Sequence, residues 1–139
     1  MYKLIEPEVA GGLGEQTQMD NSFFPPLIKN LHYEFEGWLG NDILESFPCY
    51  IVTEKLRREI EFEKLTGINF DNVLISKSDT FLDLYPNREL PNFFWAKING
   101  EPHKDDFFIT DKNVLAISEK AYSVLKNYNI DQADIEDLE

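Results

Sequence analysis

Cysteine, basic residues and long apolar runs are all scarce in this chain. A single cysteine, Cys49, excludes an intramolecular disulfide and any zinc site built on cysteines. No apolar run approaches the ~18 residues that a membrane-spanning helix needs. The opening residues, Met1-Tyr2-Lys3-Leu4-Ile5-Glu6-Pro7-Glu8, lack the basic-then-apolar order of a secretory signal. The expectation is a soluble, cytoplasmic protein with no membrane contact. Only 13 Lys and Arg stand against 26 Asp and Glu, a net charge of −13. Nucleic-acid recognition rests on cations that neutralise phosphates, so this balance argues against DNA and RNA as partners. An anionic membrane surface is disfavoured on the same ground. A basic protein is the partner that such a charge would meet fastest, since complementary fields raise on-rates by ~10–1000-fold. The plain alternative is that the charge only maintains solubility.

Catalytic signatures are also missing. Gly11-Gly12-Leu13-Gly14 lacks the Gly-Lys-Ser/Thr ending of a phosphate loop and the spacing of a dinucleotide fingerprint, so a flexible loop is expected. There is no Gly-x-Ser-x-Gly elbow and no His-Glu-x-x-His helix. Cys49 could act as a nucleophile, but between Pro48 and Tyr50-Ile51-Val52 it reads as a small buried hydrophobe. His32, Glu34 and Glu36 would share one face of a strand and could hold a divalent metal. The competing reading is a solvated face opposite Leu31, Tyr33 and Phe35. His103-Lys104-Asp105-Asp106 also offers ligating groups, in what reads as a polar hairpin loop. No enzyme, metal or cofactor is expected.

What is present is core-forming material: 42% hydrophobic and 14% aromatic residues, with eleven Phe, six Tyr and two Trp. A chain of 139 residues fits one domain that buries roughly two thirds of its unfolded surface. Tyr2–Val9 reads as an opening strand, placed at an edge by Pro7. Residues from Gly11 to Ser22 read as a loop, and Phe23-Phe24-Pro25-Pro26-Leu27 as an apolar connector re-entering the body. The alternation from Leu31 to Glu36 predicts a half-buried strand, and Gly37–Asp42 a turn carrying Trp38. Cys49–Val52 predicts a buried strand, followed by a helix capped by Thr53, running to about Leu65 and stopped by Gly67. Ile68–Ile75 predicts a further strand, while Asp79–Leu84 fits either a helical turn or a loop. Phe93–Ile98 predicts a strand whose expected partner across the Glu101–Asp106 loop is Phe107–Ile109. Val114–Ile117 predicts another strand, and Ser118 caps a second helix with Ala121, Val124, Leu125 and Tyr128 on one stripe. The 131–139 tail carries five carboxylates and no cation, with Ile135 and Leu138 as anchors.

Ile51-Val52-Thr53-Glu54-Lys55 and Ala116-Ile117-Ser118-Glu119-Lys120 follow one plan of apolar strand, hydroxyl cap, Glu-Lys and helix. The match is either a duplicated strand–helix unit or two independent uses of good capping chemistry. The fold expected is a single α+β domain over residues 1–139, a mixed or antiparallel sheet of about five to seven strands with two main helices packed on it.

Between Lys29 and Lys55 there is no Lys or Arg, while Glu34, Glu36, Asp42 and Glu45 cluster with Tyr33 and Trp38. Aromatic residues beside charges are typical of interface anchors, so these six are the candidate partner-binding residues. In the opposing reading Trp38 belongs to the core and the acids solvate it.

Gly37-Trp38-Leu39-Gly40-Asn41-Asp42-Ile43-Leu44-Glu45-Ser46-Phe47-Pro48, together with Leu115-Ala116-Ile117-Ser118-Glu119-Lys120-Ala121, resembles small immunity proteins of bacterial polymorphic or contact-dependent toxin systems. The resemblance extends loosely from about Leu31 to Asp137, through Phe93-Phe94-Trp95-Ala96-Lys97 and the Asp105-Asp106-Phe107 corner. These are turn and core patterns, so no catalytic or contact residue carries over. The resemblance implies a non-catalytic protein that neutralises a cognate toxin in the producing cell's cytoplasm. Two rivals are an accessory or adaptor module of a bacterial assembly and a metal-dependent enzyme using the histidine clusters.

Overall fold

Apolar alternation and hydroxyl caps set the main elements of the computed structural model, which describes residues 1–139. In chain order they are β1 (Lys3–Glu6), β2 (Gly11–Leu13), β3 (Gln18–Asp20), β4 (Leu27–Asn30), β5 (His32–Phe35), β6 (Ile43–Ser46), β7 (Cys49–Thr53), α1 (Glu54–Phe62), β8 (Ile68–Asp71), β9 (Leu74–Lys77), α2 (Asp79–Leu84), β10 (Phe93–Ile98), β11 (Phe107–Ile109), β12 (Leu115–Ile117), α3 (Glu119–Leu125) and β13 (Asp134–Asp137). The class is α+β, mostly antiparallel, as expected. The strands do not join into one sheet, however. They form two four-stranded sheets, β11-β12-β1-β13 and β6-β7-β10-β8, a three-stranded sheet β2-β5-β9 and the hairpin β3-β4.

The two four-stranded sheets have one connectivity. In the first unit the hairpin β6–β7 leads into α1 and returns as β8, with β10 between β7 and β8. In the second the hairpin β11–β12 leads into α3 and returns as β13, with β1 between β12 and β13. Registers agree: Tyr50 faces Ala96 as Leu115 faces Ile5, and these central residues face Phe70 and Ile135. The repeated strand–helix plan is therefore a duplicated unit at the level of topology. The chain's first strand completes its last unit, which is why β1 is central. Pro7 lies just past Glu6, where its missing N–H removes no ladder bond.

Each unit turns one sheet face inward, and α1 packs on α3. Ile5, Ile43, Val52, Leu56, Ile60, Phe107, Leu115, Ile117 and Leu125 are among the residues of this shared core. The outer face of the first unit carries Leu44, Ile51 and Trp95 into a second core, where Tyr33, Phe35 and Phe81 from the intervening segments cover it. Cys49 belongs to this second core, and burial pushes its thiol up to about 12, so it holds no thiolate near neutral pH.

Several local expectations change. Gly11–Leu13 is a strand against β5, because at Gly11 any side chain would collide with the Glu34 carbonyl. Ile68–Ile75 splits at Asn72 into β8 and β9, and β9 runs parallel to β5 in a different sheet. Of the two readings open for Asp79–Leu84, the helical one holds: the segment is capped by the Ser78 hydroxyl, which accepts the Phe81 N–H at 3.1 Å. β11 pairs with β12, not with β10, since it opens a new unit. The acidic tail is ordered as β13, with Ile135 against the core.

Candidate functional site

Asp42 immediately precedes β6 and Asp106 immediately precedes β11, so the two hold matching places in the two units. Asp42 Oδ1 accepts the Thr53 hydroxyl at 2.8 Å, and Asp106 Oδ1 accepts the Ser118 hydroxyl at 2.6 Å. The second oxygen of each reaches the loop after the other unit's helix. Asp42 Oδ2 accepts the Asn129 N–H at 2.8 Å, and Asp106 Oδ2 accepts the Thr66 N–H at 2.9 Å. The two aspartates thus latch the units reciprocally. Ser118 still caps α3 by accepting the Ala121 N–H at 3.0 Å. Thr53 sits at the cap position of α1, and its hydroxyl donates to Asp42, but it makes no side-chain cap bond.

Asp42 is 2% exposed, so this candidate interface residue is a buried structural acid. Tyr33 is likewise fully buried. Its hydroxyl accepts the Ala10 N–H at 3.0 Å and donates to the Glu45 carbonyl at 3.1 Å, and burial pushes its pKa up to about 12. Neither can touch a partner directly. Trp38 is half-buried, with Nε1 donating to the Asn41 carbonyl at 2.9 Å, Phe93 at its edge and the Arg88 guanidinium 5.3 Å from its ring centre. Glu34 is partly exposed on β5 and Glu36 is exposed just past it.

His32 is buried, contrary to the solvated face expected for it. Its Nδ1 accepts the Gln16 N–H at 3.2 Å and Nε2 lies 2.6 Å from the Ser76 hydroxyl, so both ring nitrogens are engaged. Gly14 lies so close to the ring that a side chain there would collide with it. His103 takes φ 62° and lays its ring near Tyr2 and Phe108, while Asp106 is held in the latch. No three His, Cys, Asp or Glu side chains converge on a point that could hold a metal ion.

Glu45 opens onto a cavity. A pocket of about 540 Å³ lies between β1, the segment following it, β6 and β13. Glu6, Glu8, Glu45 and Asp134 line it, with Asn113 and Gln132 as neutral polar neighbours and no Lys or Arg. Ile5, Val9, Leu39, Tyr50 and Val114 supply apolar wall. Burial, reinforced by the charge of Glu6, pushes the Glu45 carboxyl up to about 7. Glu8 is only 8% exposed; its Oε2 accepts the Leu39 N–H at 2.9 Å, while Oε1 has no partner in the chain.

An exposed aromatic ridge adjoins this pocket. Phe47, 44% exposed, occupies the turn of the β6–β7 hairpin whose strands carry Glu45 and Tyr50. Its ring lies 6.1 Å from that of Phe24, which is 81% exposed between β3 and β4 beside Phe23 and Leu27. The Phe23–Leu27 segment expected to re-enter the body is therefore displayed on the surface. Glu6, Glu8, Asp134 and this ridge were missed as site residues. The usable signals were the Glu-Pro-Glu triplet after an opening strand and an apolar cluster that no periodicity assigned to a core.

No protein-family model and no curated protein matches the chain. No helix is long and apolar enough to cross a membrane.

Proposed function

We propose that this protein binds and neutralises a cognate bacterial toxin in the cytoplasm of the producing cell, acting as an immunity protein without catalysis or cofactor. The observation that supports this most is an exposed aromatic ridge, Phe24 against Phe47 at the turn of the β6–β7 hairpin, on the same hairpin whose strands carry Glu45 and Tyr50 into a carboxylate pocket lacking any cation. Interfaces combine such aromatic anchors with flanking charge. The toxin would be basic, drawn in by the −13 charge, and its active site or substrate channel would be covered by the hairpin face. The loose likeness of residues 31–137 to immunity proteins points the same way.

The test is growth rescue. The open reading frame beside this gene is expressed in a heterologous host with and without this protein. Toxicity relieved only by co-expression, with a complex recovered on purification, is the expected result. Killing that the protein does not relieve, or a harmless neighbour, would favour an accessory adaptor instead.

A further inference from the structure

Strands β3 and β4 pair only with each other, and the tip between them shows two aromatic rings to solvent. A two-stranded ribbon is marginal in water, so a tip this apolar gains from being covered. Phe24 and Phe23, 81% and 58% exposed, stand with Leu27, 52% exposed, and with Phe47 of the β6–β7 turn. At roughly 200 Å² for each such side chain, about 450 Å² of apolar surface lies open. That matches the largest patch of a typical monomer, ~300–600 Å², which commonly serves a function. Beside the ridge runs a groove of about 600 Å³, between the hairpin tip and residues of β7, β10 and β11. Pro48, Tyr50, Ala96, Ile98 and Ile109 are among its walls. Lys97 is its one charged lining residue, and Asp71 neutralises it at 3.0 Å.

We propose that this face closes against a second copy of the chain, the ridge of each copy seated in the groove of the other. A ridge and a groove side by side on one face are complementary under a two-fold axis, which gives a closed dimer and no further growth. The ridges of two copies bury about 900 Å², and the groove walls they cover bring the total past the ~1,000 Å² where specific interfaces begin. Charge selects the same face. Two copies at −13 each repel, so they meet best where carboxylates are absent, and neither the ridge nor the groove lining contains one. The contact covers Phe24 and Phe47, so the dimer withholds the surface assigned to the toxin until the toxin displaces one copy. That regulatory consequence rests on the proposed function; the dimer itself does not.

The test is sedimentation of the purified full chain from about 1 μM to about 1 mM, the range in which an interface near the lower size limit associates. The mass should rise from monomer to dimer and stop there, at lower concentration in high salt, which screens the repulsion. Phe24→Asp and Leu27→Asp, both at exposed positions, should each weaken the dimer at least about 30-fold. Leu84→Asp, at an exposed position on α2 away from the groove, should match the parent. A monomer at every concentration overturns the proposal. So does a dimer that neither ridge variant weakens, or growth beyond the dimer. If the chain stays monomeric, flotation with phosphatidylcholine vesicles would make a bilayer the occupant of the face, and no flotation would leave it to the toxin alone. Since no toxin is present, a monomer leaves neutralisation standing, and failure of growth rescue leaves the dimer standing.

Discussion

The two units share a topology but not an environment. In the first, Ile51 is fully buried because β5, α2 and their neighbours cover the outer face of its sheet. The register counterpart of Ile51 in the second unit is Ala116, and the outer face there is covered near Phe108 by the rings of Tyr2 and His103. The latch differs in the same direction: Asp42 is buried whereas Asp106 is partly exposed. The lesson is that the intervening segments thicken one repeat into a two-layered body and leave the other thin. The pocket forms where β1 and β13 of the thin unit approach β6 of the thick one.

The largest effect that sharpens this comparison is expected at Ile51. Ile51→Ala should cost about 2–5 kcal/mol in chemical denaturation, because both packed layers resist collapse into the cavity. A loss below 1 kcal/mol would mean the second core is loosely packed. Next come the latches. Asp42→Ala removes a buried acceptor of charge-assisted bonds and should cost about 2–4 kcal/mol, against about 1–2 for Asp106→Ala. Equal losses would break the asymmetry between the units. His103→Ala strips one ring from Phe108 and should cost only about 0.5–1.5 kcal/mol by the same measurement.

The remaining prediction is read as a slope. Glu45 holds its proton up to about 7 in the fold, against an ordinary value of 4.5. The folded chain therefore binds more protons than the unfolded one between these values, and Glu45's contribution to stability is lost as pH rises from about 4.5 through 7. Glu45→Gln should flatten that part of the stability–pH curve. An unchanged slope would assign the titration to another group.

The parts of the fold legible in the sequence are those whose signal is local. β7, β10 and β12 are apolar runs, and α3 carries both a Ser118 cap and a clear stripe. Asp42 was not legible as a latch because the backbone N–H that its carboxylate accepts, that of Asn129, lies 87 residues away. The short strands β2 and β3 hide in glycine and polar residues, and they form only because β5 and β4 offer them a ladder. His32 looked exposed by alternation, yet the Gly14 turn folds over it. Of the six candidate interface residues, Glu45 alone lines the pocket, since the acids that join it come from opposite ends of the chain. Charge reversal at Asp42 would consequently test the latch, whereas reversal at Glu36 tests surface charge.

The most direct measurement of the central claim is the dissociation constant of Phe24→Ala for the toxin that growth rescue identifies. An exposed aromatic anchor at the centre of an interface is worth at least about 2 kcal/mol, so affinity should fall about 30-fold or more with the fold intact. An unchanged constant would contradict the assignment of the Phe24–Phe47 ridge as the binding surface.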